Sequence, residues 1–123
     1  MIGSIDEVVI DCAQPAVLAA FWARVLGGEP VERDDAWWYI VPPGWTQLSF
    51  QKVPESKTVK NRLHLDVRVD DIEGATAQAE ALGARRVGEM HCGEPGSFQV
   101  LQDPEGNEWC VVKPASSRGG SLY

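Results

Sequence analysis

The chain has 123 residues, of which 44% are hydrophobic and 24% charged, the composition of one ordinary globular domain. A net charge of −7 with no basic stripe argues against nucleic acid and favours cationic small ligands over phosphates. There is no apolar run of membrane-span length and no basic-then-apolar leader. With three widely spaced cysteines (Cys12, Cys92, Cys110) and no CxxC pair, the expectation is a soluble, cytoplasmic protein.

Residues 5–12 read as a strand, with Val8, Ile10 and Cys12 on one face and Glu7, Val9 and Asp11 on the other. Gln14-Pro15 breaks it, and Pro15 suits a first helical turn. Leu18, Phe21, Trp22 and Val25 then form a helical stripe that Gly27-Gly28 closes. Short strands are expected at 29–33 and 37–41, separated by a turn at Asp34-Asp35. After Pro42-Pro43-Gly44, residues 46–53 alternate, with Gln47, Ser49 and Gln51 opposite Leu48 and Phe50. Residues 54–61 are polar and read as an exposed linker.

The second half repeats the plan. Residues 63–69 alternate, with His64, Asp66 and Arg68 on one face and Leu63, Leu65, Val67 and Val69 on the other. Asp70-Asp71 opens a helix whose stripe is Ile72, Ala75, Ala79 and Leu82, closed by Gly83. Strands follow at 85–90, 97–102 and 108–113, with a turn at Asp103-Pro104-Glu105-Gly106-Asn107. His91 and Cys92 are placed at the start of a loop running to Gly96 and are given no chemistry. The organisation is module one at 1–53, a linker at 54–61, module two at 62–114 and a flexible tail at 115–123. Glu7 precedes Gly27 by 20 residues and His64 precedes Gly83 by 19, so the halves read as a tandem repeat with any site between them.

Two segments carry a family resemblance. Arg62-Leu63-His64-Leu65-Asp66-Val67-Arg68-Val69-Asp70-Asp71 and Asp103-Pro104-Glu105-Gly106-Asn107-Glu108-Trp109-Cys110, set in a twice-repeated strand–helix–three-strand order, resemble the vicinal oxygen chelate superfamily. More narrowly, they look like its glyoxalase-like and bleomycin-resistance-like domains, over residues 5–113. The resemblance implies an α+β fold of two βαβββ modules with sheets curled around a cleft, a small-molecule ligand in that cleft, and a homodimer. In the family's metal-using members a divalent ion sits at four inward strand positions, which fall here on Glu7, Gln47, His64 and Cys110, so the resemblance implies either one zinc, nickel or manganese ion or no cofactor. Gln47 and Cys110 depart from the usual carboxylates, leaving Glu7 as the one assured anion.

Each candidate carries two readings. His64 is a ligand or general base, or a hydrogen-bonded cavity histidine beside Asp66. Glu7 is a ligand or base, or a strand-end carboxylate paired with Arg68. Cys110 is a ligand or nucleophile, or a small buried hydrophobe. Asp66 and Arg68 form an ion pair or a ligand clamp. Of five tryptophans, Trp22 and Trp109 are expected in the core, and Trp37, Trp38 and Trp45 near the ligand, with Gln47 as a further contact. Two functions follow: a protein that holds a small molecule unchanged, or a metal-dependent lyase or isomerase in which Glu7 and His64 are catalytic.

Overall fold

A computed structural model describes Met1, residues 3–94 and residues 96–115. The chain divides into two compact units, Met1–Thr58 and Val59–Tyr123. Each is a βαβββ module with a four-stranded sheet and one helix. The flexible tail expected from residue 115 lies, from 116 onward, outside the described residues.

Unit one runs β1 (Glu7–Cys12), α1 (Pro15–Leu26), β2 (Val31–Asp34), β3 (Trp37–Ile40) and β4 (Gln47–Lys52). Sheet order is β1-β4-β3-β2, with β1 and β4 parallel and the remaining pairs antiparallel. Parallel neighbours need a crossover, which α1 supplies. The helix starts where Pro15 has no N–H to waste, and Gly27 ends it at φ 94°, donating its N–H to the Ala23 carbonyl over 2.8 Å. Leu18, Ala19, Phe21 and Trp22 are buried, and α1 packs on β3 and β4, whose Ile40, Leu48 and Phe50 are fully buried. Each large apolar side chain so buried contributes about 1.5–3 kcal/mol.

Unit two runs β5 (Asp66–Arg68), α2 (Ile72–Ala81), β6 (Arg85–Gly93), β7 (Gly96–Gln102) and β8 (Glu108–Pro114). Its order is β5-β8-β7-β6, with β5 and β8 parallel. α2 packs on β6, β7 and β8 through Ile72, Thr76 and Ala79. Trp109, Leu101 and Val111 are buried. The turn before β8 is tied by one carboxylate. Buried Asp103 accepts hydrogen bonds from the Glu105 and Asn107 backbone N–H groups, both at 2.9 Å, and from the Asn107 amide.

Two strand expectations need correction. β5 has three residues rather than seven. Asp66 pairs with Cys110, so His64 lies level with Glu108, where β8 begins. Residues before His64 therefore have no neighbouring strand, and Leu63 is 65% exposed rather than on a packed face. β6, in contrast, runs on through His91 and Cys92, which were expected in a loop. The pair Gly93–Gly96 closes a tight hairpin, so pairing reaches the turn, with His91 opposite Phe98 and Cys92 opposite Ser97. A bulge between Val87 and His91, with Gly88 at φ 69°, breaks the period-2 pattern that would have shown the strand. Buried Gln99 supports that bulge by donating its amide to the Val87 and Gly88 carbonyls, each at 3.2 Å.

Candidate functional site

Sheet register decides which side chains share a face, because directly paired residues point the same way. In unit one, Glu7 pairs with Gln47, Val9 with Ser49, and Ser49 with Tyr39. Asp11, Gln51 and Trp37 form the next row. This face is opposite Leu48, Phe50 and Ile40, and it carries a hydrogen-bond chain. The Gln47 amide donates to Ser49 Oγ over 3.1 Å, and Ser49 Oγ donates to Glu7 Oε1 over 2.5 Å. A longer contact of 3.5 Å runs from the Gln47 amide to the same Glu7 oxygen. Ser49 is fully buried, while Glu7, Gln47 and Tyr39 are half-buried.

The three tryptophans expected near the ligand separate. Trp37 shares the Glu7 face, and the Arg33 guanidinium lies 4.2 Å from its ring centroid. The β2–β3 register shifts between Glu32 and Asp34, so Trp37 pairs with Asp34 rather than with Arg33. Trp38 pairs with Phe50 and so belongs to the apolar, helix-facing side, opposite the face of Glu7 and Trp37. Trp45 is 45% exposed on the turn before β4, its N–H donating to the Pro42 carbonyl.

In unit two, Asp66, Cys110 and Val100 form one row, and Arg68, Val112, Phe98 and His91 the next. His64 Nε2 lies 3.4 Å from Asp66 Oδ1. His64 thus stands beside Asp66, one of the two arrangements expected for it, and the alternative Asp66–Arg68 ion pair is absent among the described residues. Arg68 is exposed and makes no ion pair among the described residues. Glu7 likewise makes no ion pair among the described residues; its Oε1 accepts from Ser49 and Gln47. Cys110 is fully buried in a cluster with Val100 and Val112, against which Phe98 packs. Burial pushes its thiol up to about 12. The Asp66 carboxylate adds to the rise and the Lys60 ammonium opposes it. His91 stacks on Phe98 with ring centroids 4.6 Å apart and planes 10° from parallel.

The divalent metal implied by the family does not fit these donors. Cys110 is a fully buried thiol in an apolar cluster with Val100 and Val112, and burial raises its pKa in the metal-free chain. By register, the position in unit one that matches Cys110 is Ser49, because Val9–Ser49 corresponds to Asp66–Cys110. Ser49 is a neutral hydroxyl already committed to Glu7. Among the described residues, no three His, Cys, Asp or Glu side chains converge in a metal-holding group.

Sequence reasoning left Ser49 and Tyr39 without a role and read His91 as incidental. Period-2 spacing from Gln47 and from Trp37 was a usable signal for the first two. No sequence signal marked the His91–Phe98 stack, because it depends on the β6–β7 register.

The chain matches the family model of the glyoxalase-like domain over residues 7–112. No curated protein matches the sequence. Among solved structures, the chain is similar to a glyoxalase/bleomycin resistance protein/dioxygenase family enzyme from Burkholderia phytofirmans PsJN. That match has 19% identity and a TM-score of 0.76, covering 91% of this chain and 99% of that one. Protein ATC0852 from Agrobacterium tumefaciens has 20% identity and a TM-score of 0.77, with 94% and 100% covered. The fosfomycin resistance protein FosX from Listeria monocytogenes, solved as a mutant with Mn(II) and dihydroxypropylphosphonic acid, has 12% identity and a TM-score of 0.75, with 94% and 93% covered. At such identities the likeness is one of fold. Family-model coverage, the repeated βαβββ order and these folds agree: the chain belongs to the glyoxalase-like domain family of the vicinal oxygen chelate superfamily.

Proposed function

We propose that this protein binds a small molecule without transforming it, using the polar sheet faces of its modules. One observation carries the reading. Ser49, paired with Val9, and Cys110, paired with Asp66, hold matching positions in the two modules, and both are neutral donors on the faces that carry Glu7 and His64. What remains is a hydrogen-bonding surface with aromatic neighbours, which suits recognition.

The test is metal content by mass spectrometry on protein purified without chelator and incubated with zinc, nickel and manganese, beside His64→Ala. The expected result is substoichiometric metal in both samples and no turnover of a hemithioacetal. Stoichiometric metal that disappears in the variant would sink the binding reading and restore the metal-dependent lyase or isomerase.

A second reading has its own observation. The His64–Asp66 contact of 3.4 Å is an imidazole oriented by a carboxylate, the arrangement of a general base. It supports metal-independent proton transfer on a bound substrate. A bell-shaped pH–rate profile abolished by His64→Gln would favour it.

We also propose a homodimer in the cytoplasm. Its support is the exposed edge of β6, nine residues long, which leaves a strand edge for a partner. Light scattering at two concentrations tests the assembly, with a concentration-independent monomer mass as the contrary result.

A further inference from the structure

Resting on the binding reading, we infer that the Glu7 face of unit one takes a protonated amine bearing a flat apolar group, with Tyr39 as a contact residue and Ser49 as a positioning residue. Four observations support this.

The first is that Glu7 is aimed. Both of its hydrogen bonds fall on Oε1, from Ser49 and from Gln47. Among the described residues, Oε2 has no hydrogen-bond or ion-pair partner. The donor that fixes the carboxylate is fully buried, so its direction is set by the interior of the sheet and not by solvent. A carboxylate held through one oxygen presents the other as a single, oriented acceptor, which suits an N⁺–H donor.

The second is uncompensated charge. Asp11 lies four residues further along β1 on the same face, and neither it nor Glu7 is in an ion pair among the described residues. The whole chain carries −7, so the long-range field also favours a cation.

The third is an aromatic side chain on the same face. Tyr39 pairs with Ser49, while Trp37, paired with Gln51, already carries the Arg33 guanidinium over its ring. Tyr39 stands two strand spacings from β1, roughly 10 Å, a span that an amine and an attached ring can bridge. Its hydroxyl makes no hydrogen bond among the described residues. It is therefore available to a ligand.

The fourth is access. Val9, in the Ser49–Tyr39 row, is 40% exposed, and Val31, paired with Tyr39 at the sheet edge, is 41% exposed. An apolar shelf beside an unpaired carboxylate is the layout that retains an amphiphilic cation and gives a neutral or anionic analogue little.

The experiment compares 2-phenylethylamine, 2-phenylethanol and phenylacetate by isothermal titration and by tryptophan fluorescence on the full chain. The amine should bind saturably and at least about tenfold more tightly than the alcohol, with phenylacetate weakest. Glu7→Gln should remove that preference. Tyr39→Phe should weaken the amine about threefold to tenfold. Ser49→Ala should weaken it while Ser49→Thr restores part of the loss, a rescue that a merely structural role would not give. Circular dichroism of each variant separates loss of binding from loss of fold. Should Ser49→Ala unfold, the Glu7→Gln and Tyr39→Phe comparisons still decide. Equal binding of amine and alcohol, an amine preference that survives Glu7→Gln, or no saturable amine binding would overturn the inference. The binding reading fails separately, on metal content and turnover.

Discussion

Ser49 Oγ donates to Glu7 Oε1 over 2.5 Å from a side chain with no exposed surface. In the other module, the register-matched position is Cys110, equally buried and next to Val100 and Val112. One fold has thus been given two local chemistries at one structural position: a hydroxyl that serves a carboxylate, and a thiol that stays neutral.

Ser49→Ala removes the donor to Glu7 and the acceptor for Gln47. The expected loss is about 1.5 kcal/mol, since Glu7 and Gln47 are half-buried and water can replace part of what is lost. Urea denaturation should show a lower midpoint at an unchanged slope. An unchanged midpoint would mean the hydrogen bond contributes nothing net.

Cys110 makes stability fall in alkali. Its thiol sits at about 12 in the folded chain against an ordinary 9.0, so the folded state holds the proton longer than the unfolded state does. The resulting stability is complete below about pH 9 and is lost as pH climbs toward 12. Replacing Cys110 with Val should flatten that part of the profile, measured as the difference in urea midpoint between wild type and variant at pH 8 and pH 10.5. In the native chain at pH 8, exposed Cys92 should react with iodoacetamide while buried Cys12 and Cys110 do not. Rapid labelling of all three would contradict the burial.

Leu101 and Leu63 should differ sharply. Leu101→Ala empties a fully buried site and should cost about 2–5 kcal/mol. Leu63→Ala should cost less than about 0.5 kcal/mol, because Leu63 lies beyond the end of β5 and is exposed. Similar costs for both would indicate that residues 63–65 pack as a strand after all.

Asp103→Ala should be among the most damaging single changes, at about 3 kcal/mol. It strands the Glu105 and Asn107 backbone N–H groups and the Asn107 amide at once, next to the start of β8. Asp103→Asn keeps an acceptor and should recover part of the loss. Hydrogen exchange at Glu108 and Trp109 reports whether the strand frays, and protection unchanged from wild type would argue against this account.

The sequence by itself determined the two-module βαβββ order and the helix stripes, because helical and strand periodicities are local and each half repeats them. It also marked Glu7, Gln47 and His64 on polar faces and Trp22 and Trp109 in the core, since alternation assigns faces before any partner is known. Pairing decided the rest. Only the β1–β4 and β5–β8 registers set Ser49 beside Glu7 and Cys110 beside Asp66, and only the β3–β4 register put Tyr39 on the Glu7 face and Trp38 on the other. The length of β5 and the reach of β6 were also hidden. A strand ends where its neighbour does, and a bulge at Gly88 is stabilised by Gln99, a side chain eleven residues away. Long-range hydrogen bonding fixes these features, and local sequence pattern carries no record of it.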